Sequence, residues 1–209
     1  MPKVKDIASH FNDWPVFTYR DAKLYYVKER NNENLARTIS YMKSKGMLYS
    51  VRKGAYSFKN DDMVAGFSYA PFYYGLLSAL SIRELWTQST RPEIITMKSV
   101  RRSSISIFGS RERTAFLHHI PAKYFFGFDI LRYGSLKVPV SDPEKTLIDL
   151  LYYKIRLPIQ NYSGLLKAVE TGKVCRYLEA YDAHTRAAAM NFLKAHRQPA
   201  IAGKLDSGY

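Results

Sequence analysis

A short segment near the N-terminus carries polar side chains at a spacing that suits contact with nucleic acid. At about 100° per residue, a helix from Glu33 to Lys45 would place Leu35, Ile39 and Met42 on one side. The other side has none of the Glu–Lys ladders of a solvated helix, and its side chains can reach base edges and phosphates. The residues predicted to contact DNA here are Asn34, Arg37, Thr38, Ser40, Tyr41, Ser44 and Lys45.

The next segment predicts a β-hairpin with a cationic turn. Residues 47–51 and 55–58 contain the aromatic and β-branched side chains typical of strands. Arg52, Lys53 and Gly54 would join the two strands, with the glycine where a positive φ is needed. We expect Arg52 and Lys53 to contact the DNA backbone or the minor groove beside the helix.

Two further helices are predicted upstream of the helix over Glu33–Lys45, which is therefore the third helix of the chain, and they would support it. Thr18 and Asp21 have the spacing of a capping box, which predicts a second helix from Tyr19 to about Val27. Gly46 is the predicted C-cap of the third helix. Residues at i, i+3, i+4 and i+7 predict the first helix, with the apolar stripe Val4, Ile7, Ala8 and Phe11. Three helices followed by a basic hairpin describe a winged helix-turn-helix.

A second concentration of positive charge lies between residues 98 and 113, with only Glu112 to oppose it. Two interpretations stay open: a solvated β-ribbon with long cationic side chains, or a second anionic contact, to DNA outside the groove or to RNA. The members of this possible second surface are Lys98, Arg101, Arg102, Arg111 and Arg113.

The composition supports a polyanionic partner. The chain of 209 residues has 32 Lys and Arg against 18 Asp and Glu, a formal charge of +14. Residues 1–60 hold 12 basic and 5 acidic side chains, so half of the excess lies in the first 60 residues. Such an excess favours nucleic acid as a partner, and the 17 Tyr and 11 Phe exclude disorder as the main state.

Enzymatic interpretations find little support, so the sequence predicts no catalytic residue, no cofactor and no metal. Gly109-Ser110 lacks the spaced carboxylates of a nucleotidyltransferase, and a phosphate-binding glycine loop is absent. His118 and His119 would point to opposite faces of a strand, so they cannot easily share a ligand. The single cysteine, Cys175, excludes an internal disulfide and is expected to be a small buried residue.

The sequence shows neither a secretory signal nor an apolar run of about 20 residues, the length of a membrane helix. A protein without membrane contact, in the cytoplasm, is therefore expected.

A change of periodicity near residues 59–62 divides the chain. Residues 1–62 are predicted to form the winged helix-turn-helix, and residues 63–209 a mixed α/β domain with a helical tail. The predicted fold class is therefore α+β. The elements expected in the second part are a helix over 72–80 and strands over 93–97, 104–108, 115–117 and 136–140.

The segment Ser141-Asp142-Pro143-Glu144 predicts the start of a buried helix. Ser141 and Glu144 have capping-box spacing, and proline suits the first helical turn. The carboxylates of Asp142 and Glu144 would complement the helix dipole, which favours a structural role over catalysis.

The chain also resembles a known family. Leu35–Arg37, Met42–Leu48 and Val51–Tyr56 resemble the winged-helix head of AbiEi-type antitoxins, predicted regulators of abortive-infection viral defence. Tyr69–Leu80 and Val138–Leu150 resemble two recurrent segments of that family's second domain. The resemblance implies a transcriptional regulator of a type IV toxin–antitoxin system. Such a protein represses its own operon and opposes a nucleotidyltransferase-like toxin without a stable complex.

The expected partner is double-stranded operator DNA, with inverted repeats, and the oligomeric state stays open. The alternative from another class is an RNA-binding or RNA-processing factor whose main surface is the basic ribbon around residues 98–113. Preference for a palindromic duplex over RNA distinguishes the two hypotheses.

Overall fold

The computed structural model describes residues 4–28, 35–88 and 90–197. Its helices are α1 (Val4–Phe11), α2 (Tyr19–Lys28), α3 (Leu35–Ser44), α4 (Leu76–Ile82), α5 (Pro143–Tyr152), α6 (Ser163–Ala168), α7 (Thr171–Leu178) and α8 (Ala183–Arg197). Its strands are β1 (Phe17–Thr18), β2 (Tyr49–Arg52), β3 (Ala55–Ser57), β4 (Phe72–Tyr74), β5 (Glu93–Thr96), β6 (Ser104–Ser106), β7 (Thr114–His119), β8 (Phe128–Tyr133) and β9 (Leu136–Ser141). This mixture confirms the predicted α+β class. Within the described residues, every helix is too short or too polar to cross a membrane.

The chain forms two compact units that do not follow the expected division at residues 62 and 63. Unit 1 comprises the described residues of Met1–Tyr73, Arg91–Ile120 and Gly134–Leu136. Unit 2 comprises those of Tyr74–Thr90, Pro121–Tyr133 and Lys137–Tyr209. The segment that contains β5, β6 and β7 therefore belongs to the same unit as the three N-terminal helices.

A charged contact explains why the expected boundary lies inside unit 1. Arg113, which directly precedes β7, donates to the carboxylate of Asp62 at 2.7 Å and to the side chain of Asn60. Asp61 caps the 3₁₀ segment Asp62–Tyr69 by accepting from the Met63 amide at 2.8 Å. The residues at the predicted boundary thus fasten two parts of unit 1 instead of separating them.

The helices of unit 1 share one core with the start of the hairpin. Phe17 of β1 is fully buried and stacks on Phe11 of α1, with 4.5 Å between ring centroids. β1 pairs antiparallel with β3, which pairs with β2, so the small sheet has the order β1-β3-β2. The buried residues of this core are Ile7, Phe11, Phe17, Ala22, Tyr26, Leu35, Ile39, Met42 and Leu48.

Local sequence signals set the ends of the N-terminal helices. At the start of α2, the Thr18 amide donates to the Asp21 carboxylate at 2.7 Å, and the Asp21 amide donates to the Thr18 hydroxyl at 3.1 Å. The predicted capping box is therefore confirmed. After α3, Gly46 has φ +68° and donates to Lys43 O at 3.0 Å, while Met47 donates to Met42 O at 2.9 Å. These two bonds form a Schellman motif, which confirms the predicted C-cap.

The larger set of strands in unit 1 follows the order β6-β7-β5-β4. β5 and β7 are parallel, with Ile94 opposite Leu117, and β6 is antiparallel to β7. The predicted helix over 72–80 is wrong at its start, because Phe72–Tyr74 form β4 and the helix begins at Leu76. All three aromatic residues of β4 are buried, as in a strand covered on both faces.

Unit 2 contains the end of β4, followed in strand order by β9 and β8. Tyr74 lies opposite Val140 in a parallel pair. The predicted helical tail is present as α6, α7 and α8, and both α7 and α8 contact α5. The N-cap of α5 is Asp142, one residue after the expected Ser141: its side chain accepts from the Lys145 amide at 2.7 Å.

Both carboxylates at the start of α5 have structural partners. The Lys173 ammonium lies 3.0 Å from a carboxylate oxygen of Asp142 and 3.0 Å from one of Glu144. The Glu170 amide also donates to Glu144, at 2.7 Å. Burial by itself would raise the pKa of Glu144, but the Glu170 amide and Lys173 outweigh burial and hold that pKa below its ordinary value. These contacts fit the structural role expected from the sequence.

A buried ion pair joins the next residue of α5, Lys145, to Asp149 one turn later. The side chains of Lys145 and Asp149 are both fully buried and hydrogen-bond to each other. The Lys145 ammonium also donates to the Tyr181 hydroxyl at 2.8 Å. Burial lowers the pKa of Lys145, and the adjacent Asp149 carboxylate opposes that shift. Each charge therefore depends on its partner.

We predict that Lys145→Met lowers the free energy of unfolding by about 3–5 kcal/mol, because the Asp149 carboxylate would remain buried without its countercharge. The double variant Lys145→Met with Asp149→Leu should lose less than the single variant, since no unpaired charge remains. Urea unfolding of the three proteins measures this difference. A double variant at least as unstable as Lys145→Met would contradict the prediction.

Candidate nucleic-acid interface

The face of α3 opposite the core is polar and accessible, as its periodicity predicts. Leu35, Ile39 and Met42 are buried, and 52% of Tyr41 is exposed. Thr38, also predicted to contact DNA, is half-buried, because it lies beside the core and not on the open face. The predicted contact residues that lie exposed on or just after α3 are Arg37, Ser40, Tyr41, Ser44 and Lys45. Asn34, also predicted, lies outside the described residues.

Contacts within α3 orient part of this face. The Ser44 hydroxyl donates to the backbone oxygen of Tyr41 at 2.8 Å, so this hydroxyl proton is already bonded within the helix and does not face a ligand. The Lys45 ammonium lies 5.9 Å from the centre of the Tyr41 ring, within the range of a cation–π contact. Arg37 and Tyr41 lie one helical turn apart, so they can reach neighbouring positions along a groove.

The predicted hairpin is present, and its cations lie at the tip. Arg52 is the last residue of β2, opposite Ala55, and Lys53-Gly54 form a two-residue turn. Gly54 has φ +76°, the left-handed conformation expected of it. Arg52 and Lys53 are exposed, and the guanidinium carbon of Arg52 lies 5.9 Å from the centre of the Tyr69 ring.

The second basic group divides into exposed and structural members. Lys98, Arg101 and Arg102 are exposed between β5 and β6, and Arg111 is exposed between β6 and β7. Arg113 is half-buried by its bonds to Asp62 and Asn60, and its guanidinium carbon lies 4.5 Å from the centre of the Phe108 ring. Four of the five side chains are therefore accessible to an anionic ligand, whereas Arg113 is engaged within unit 1.

The structure also places the residues considered for catalysis. His118 lies with its Nε2 2.6 Å from a carboxylate oxygen of the buried Glu93, and the exposed His119 has its Nδ1 3.2 Å from Lys98 O. The two rings make different contacts, and adjacent residues of a strand lie on opposite faces. Cys175 is exposed, so the expectation of a buried cysteine is wrong: Val174 and Leu178 occupy the buried positions of α7.

A groove that sequence reasoning missed lies between the end of α3, the β2–β3 hairpin and the β6–β7 turn, which is formed by residues 107–110. Its volume is about 520 Å³. Tyr49 and Phe108 meet across it, with 5.2 Å between ring centroids. In the sequence, Gly109 indicates a turn, but no pattern indicates that Phe108 packs on Tyr49, 59 positions earlier. The lining residues are Lys43, Gly46, Leu48, Tyr49, Ser50, Val51, Arg52, Lys53, Ser106, Phe108 and Gly109.

Comparison with known proteins adds information on the fold. No protein-family model matches the chain, and no curated protein matches it. The chain is similar to the crystal structure of the RV2827C protein from Mycobacterium tuberculosis, with a TM-score of 0.62 and 14% sequence identity. The similarity covers 92% of this chain and 75% of that one. At this identity the likeness concerns the fold alone.

The two arginines near the β6–β7 turn should differ in their effect on stability. Arg113→Ala is expected to lower the free energy of unfolding by about 1–2 kcal/mol, because it removes charge-assisted hydrogen bonds in a partly exposed site. The matched variant Arg111→Ala should change stability by less than about 0.5 kcal/mol, as for other exposed positions. Urea unfolding tests both, and equal losses would show that the Arg113 contacts do not stabilise unit 1.

Proposed function

We propose that this chain is a transcriptional regulator that binds double-stranded DNA through a winged helix-turn-helix and has no catalytic role. The observation that carries the proposal is the placement of two cationic, accessible elements on one core. α3 buries Ile39 and Met42 and exposes Arg37 and Tyr41, while Leu48 of the same core leads directly into the β2–β3 hairpin. Helix and hairpin are therefore held together as one surface.

The proposed docking gives each element a different role. α3 enters the major groove, where Arg37 and Tyr41 contact base edges or phosphates. The hairpin lies beside it, with Arg52 and Lys53 on the adjacent backbone or in the minor groove. The formal charge of +14 supports association with a polyanion.

We further propose that the regulator is a cytoplasmic AbiEi-type antitoxin of a type IV toxin–antitoxin system. It would repress its own operon and oppose a nucleotidyltransferase-like toxin without forming a stable complex. The support is the resemblance of the two segments Tyr69–Leu80 and Val138–Leu150. The second of them builds β9 and the start of α5, whose Lys145 and Asp149 form the buried ion pair. This segment therefore organises unit 2, which would supply the antitoxin activity.

The DNA-binding proposal predicts a change in salt dependence. Arg52→Ala with Lys53→Ala should flatten the slope of log affinity against log salt by about 2, because two phosphate contacts are lost. Fluorescence anisotropy with DNA from the chain's own promoter region measures the slope. The control, Arg186→Ala with Lys194→Ala, removes the same charge from exposed positions of α8. An unchanged slope, or equal losses in both double variants, would refute the role of the hairpin.

The same assay separates the proposal from its alternative. The wild-type chain should prefer a palindromic duplex over an RNA hairpin of the same sequence. Preference for the RNA, lost when Arg101 and Arg102 are replaced by alanine, would favour an RNA-binding factor that uses the exposed ribbon around residues 98–113.

The antitoxin proposal is tested by co-expression with the adjacent nucleotidyltransferase-like gene. The full chain with Arg52→Ala and Lys53→Ala should still restore growth while it no longer represses the promoter, since the hairpin serves DNA binding alone. Reporter activity and growth are measured in the same cells. Loss of both activities would mean that they share one surface, and absence of any such gene would favour a stand-alone regulator.

A further inference from the structure

We infer that the groove between the β2–β3 hairpin and the β6–β7 turn binds the sugar–phosphate backbone of duplex DNA, so that the β6–β7 turn acts as a second wing. The inference rests on the proposed DNA-binding function and extends its footprint. It assigns a binding role to Ser106, Phe108 and Gly109, which are not among the residues predicted from the sequence to contact nucleic acid.

The chemistry of the groove suits an anionic, oxygen-rich ligand. Lys43, Arg52 and Lys53 line it together with Ser50 and Ser106. The residues that line it include no carboxylate. None of the salt bridges among the described residues uses these three cations. Phosphate oxygens are the partners that such side chains contact at protein–DNA interfaces.

The wall formed by the β6–β7 turn is held in an unusual conformation. Phe108 has φ +55° and Gly109 has φ +72°, and the Ser110 amide donates to Ile107 O at 3.0 Å. Two successive residues with positive φ, closed by the Ser110 to Ile107 bond, form a tight β-turn within the longer connection between β6 and β7, and a bulky residue at the first of these positions is disfavoured. Contacts of the ring with Tyr49 and with the Arg113 guanidinium retain Phe108 in this position. The groove is therefore formed before any ligand binds.

The same contacts favour the DNA backbone over a stacked base. The Phe108 ring already meets Tyr49 on one side and carries the Arg113 guanidinium at 4.5 Å. The Ser50 hydroxyl donates to Arg52 O at 3.4 Å, so the groups that remain to donate to a ligand are the ammonium and guanidinium groups and the Ser106 hydroxyl. Because at least half of protein–DNA hydrogen bonds go to phosphate and sugar, and α3 is the element proposed to enter the major groove, we expect this groove to add affinity without sequence preference.

The position of the groove makes it continuous with the proposed DNA surface. It begins at Lys43 and Gly46, at the C-terminal end of α3, and follows β2 to Arg52 and Lys53. A DNA backbone segment that passes the hairpin on this side would lie between the Lys53-Gly54 turn and the β6–β7 turn. Both walls belong to unit 1.

Two serines of β6 provide a matched test. Ser104 and Ser106 are both exposed and alternate with Ile105, so they lie on the same face of the strand, but only Ser106 lines the groove. Ser106→Glu should weaken duplex binding at least about tenfold more than Ser104→Glu, because its carboxylate would face bound phosphates at short range. Ser106→Arg should strengthen binding and steepen the salt slope by about 1, whereas Ser104→Arg should not.

Anisotropy with the promoter duplex gives the affinities, and hydroxyl-radical footprinting shows which phosphates lose protection in Ser106→Glu. Circular dichroism confirms that each variant is folded. Phe108→Gly, which suits the positive φ but removes the wall, should lose the same protected phosphates.

The outcomes distinguish the two proposals. If the wild type fails to bind duplex, or the Arg52 and Lys53 double variant binds like its control, the proposed function fails, and this inference fails with it. If the wild type and the Arg52 and Lys53 double variant behave as predicted, but the Ser104 and Ser106 variants bind duplex with equal affinity, only the groove assignment is overturned. Selective loss of RNA binding in Ser106→Glu, with duplex binding unchanged, also overturns it.

Discussion

The pairing of β1 with β3 is the constraint on which the rest of unit 1 depends. β1 has only two residues, yet Phe17 lies opposite Tyr56 and Thr18 opposite Ala55, which fastens the hairpin to the chain between α1 and α2. Phe17 simultaneously packs on Phe11 and Phe58. A two-stranded hairpin alone is marginally stable in water, whereas a third strand and a shared core hold it in one orientation. The cationic tip can therefore serve as a fixed element beside α3.

A second fastening joins residues that are more than 50 positions apart in the chain. Arg113 bonds to Asp62 and Asn60 and covers the ring of Phe108. One guanidinium therefore orders the start of β7, the 3₁₀ segment after the hairpin and the β6–β7 turn. This arrangement explains why a residue that looks like a surface cation in the sequence is structural, while its neighbour Arg111 is exposed. It also brings the two basic parts of the sequence into one unit.

Unit 2 is organised by polar groups more than is usual for a core. Lys145 and Asp149 are buried as a pair, and Lys173 joins the two carboxylates at the start of α5. Buried charges of this kind contribute little net stability compared with apolar residues, but removing one partner is strongly destabilising. They therefore tie α7 and Tyr181 to α5 in a specific arrangement. The segment Val138–Leu150 carries the Lys145–Asp149 pair and the two carboxylates that Lys173 contacts, so its charged residues have structural roles.

The sequence by itself determined the features that depend on neighbours within about four residues. The capping box at Thr18 and Asp21, the C-cap at Gly46 and the two faces of α3 all follow from such local spacing. Only the tertiary structure decided that Phe72–Tyr74 form a strand, because burial on both sides of a sheet outweighed the helical pattern of the apolar run. The same holds for Arg113 and Phe108, whose roles depend on Asp62 and Tyr49. Contacts over such distances in the chain leave no periodic signal, so the groove between the two hairpins became visible only in the folded molecule.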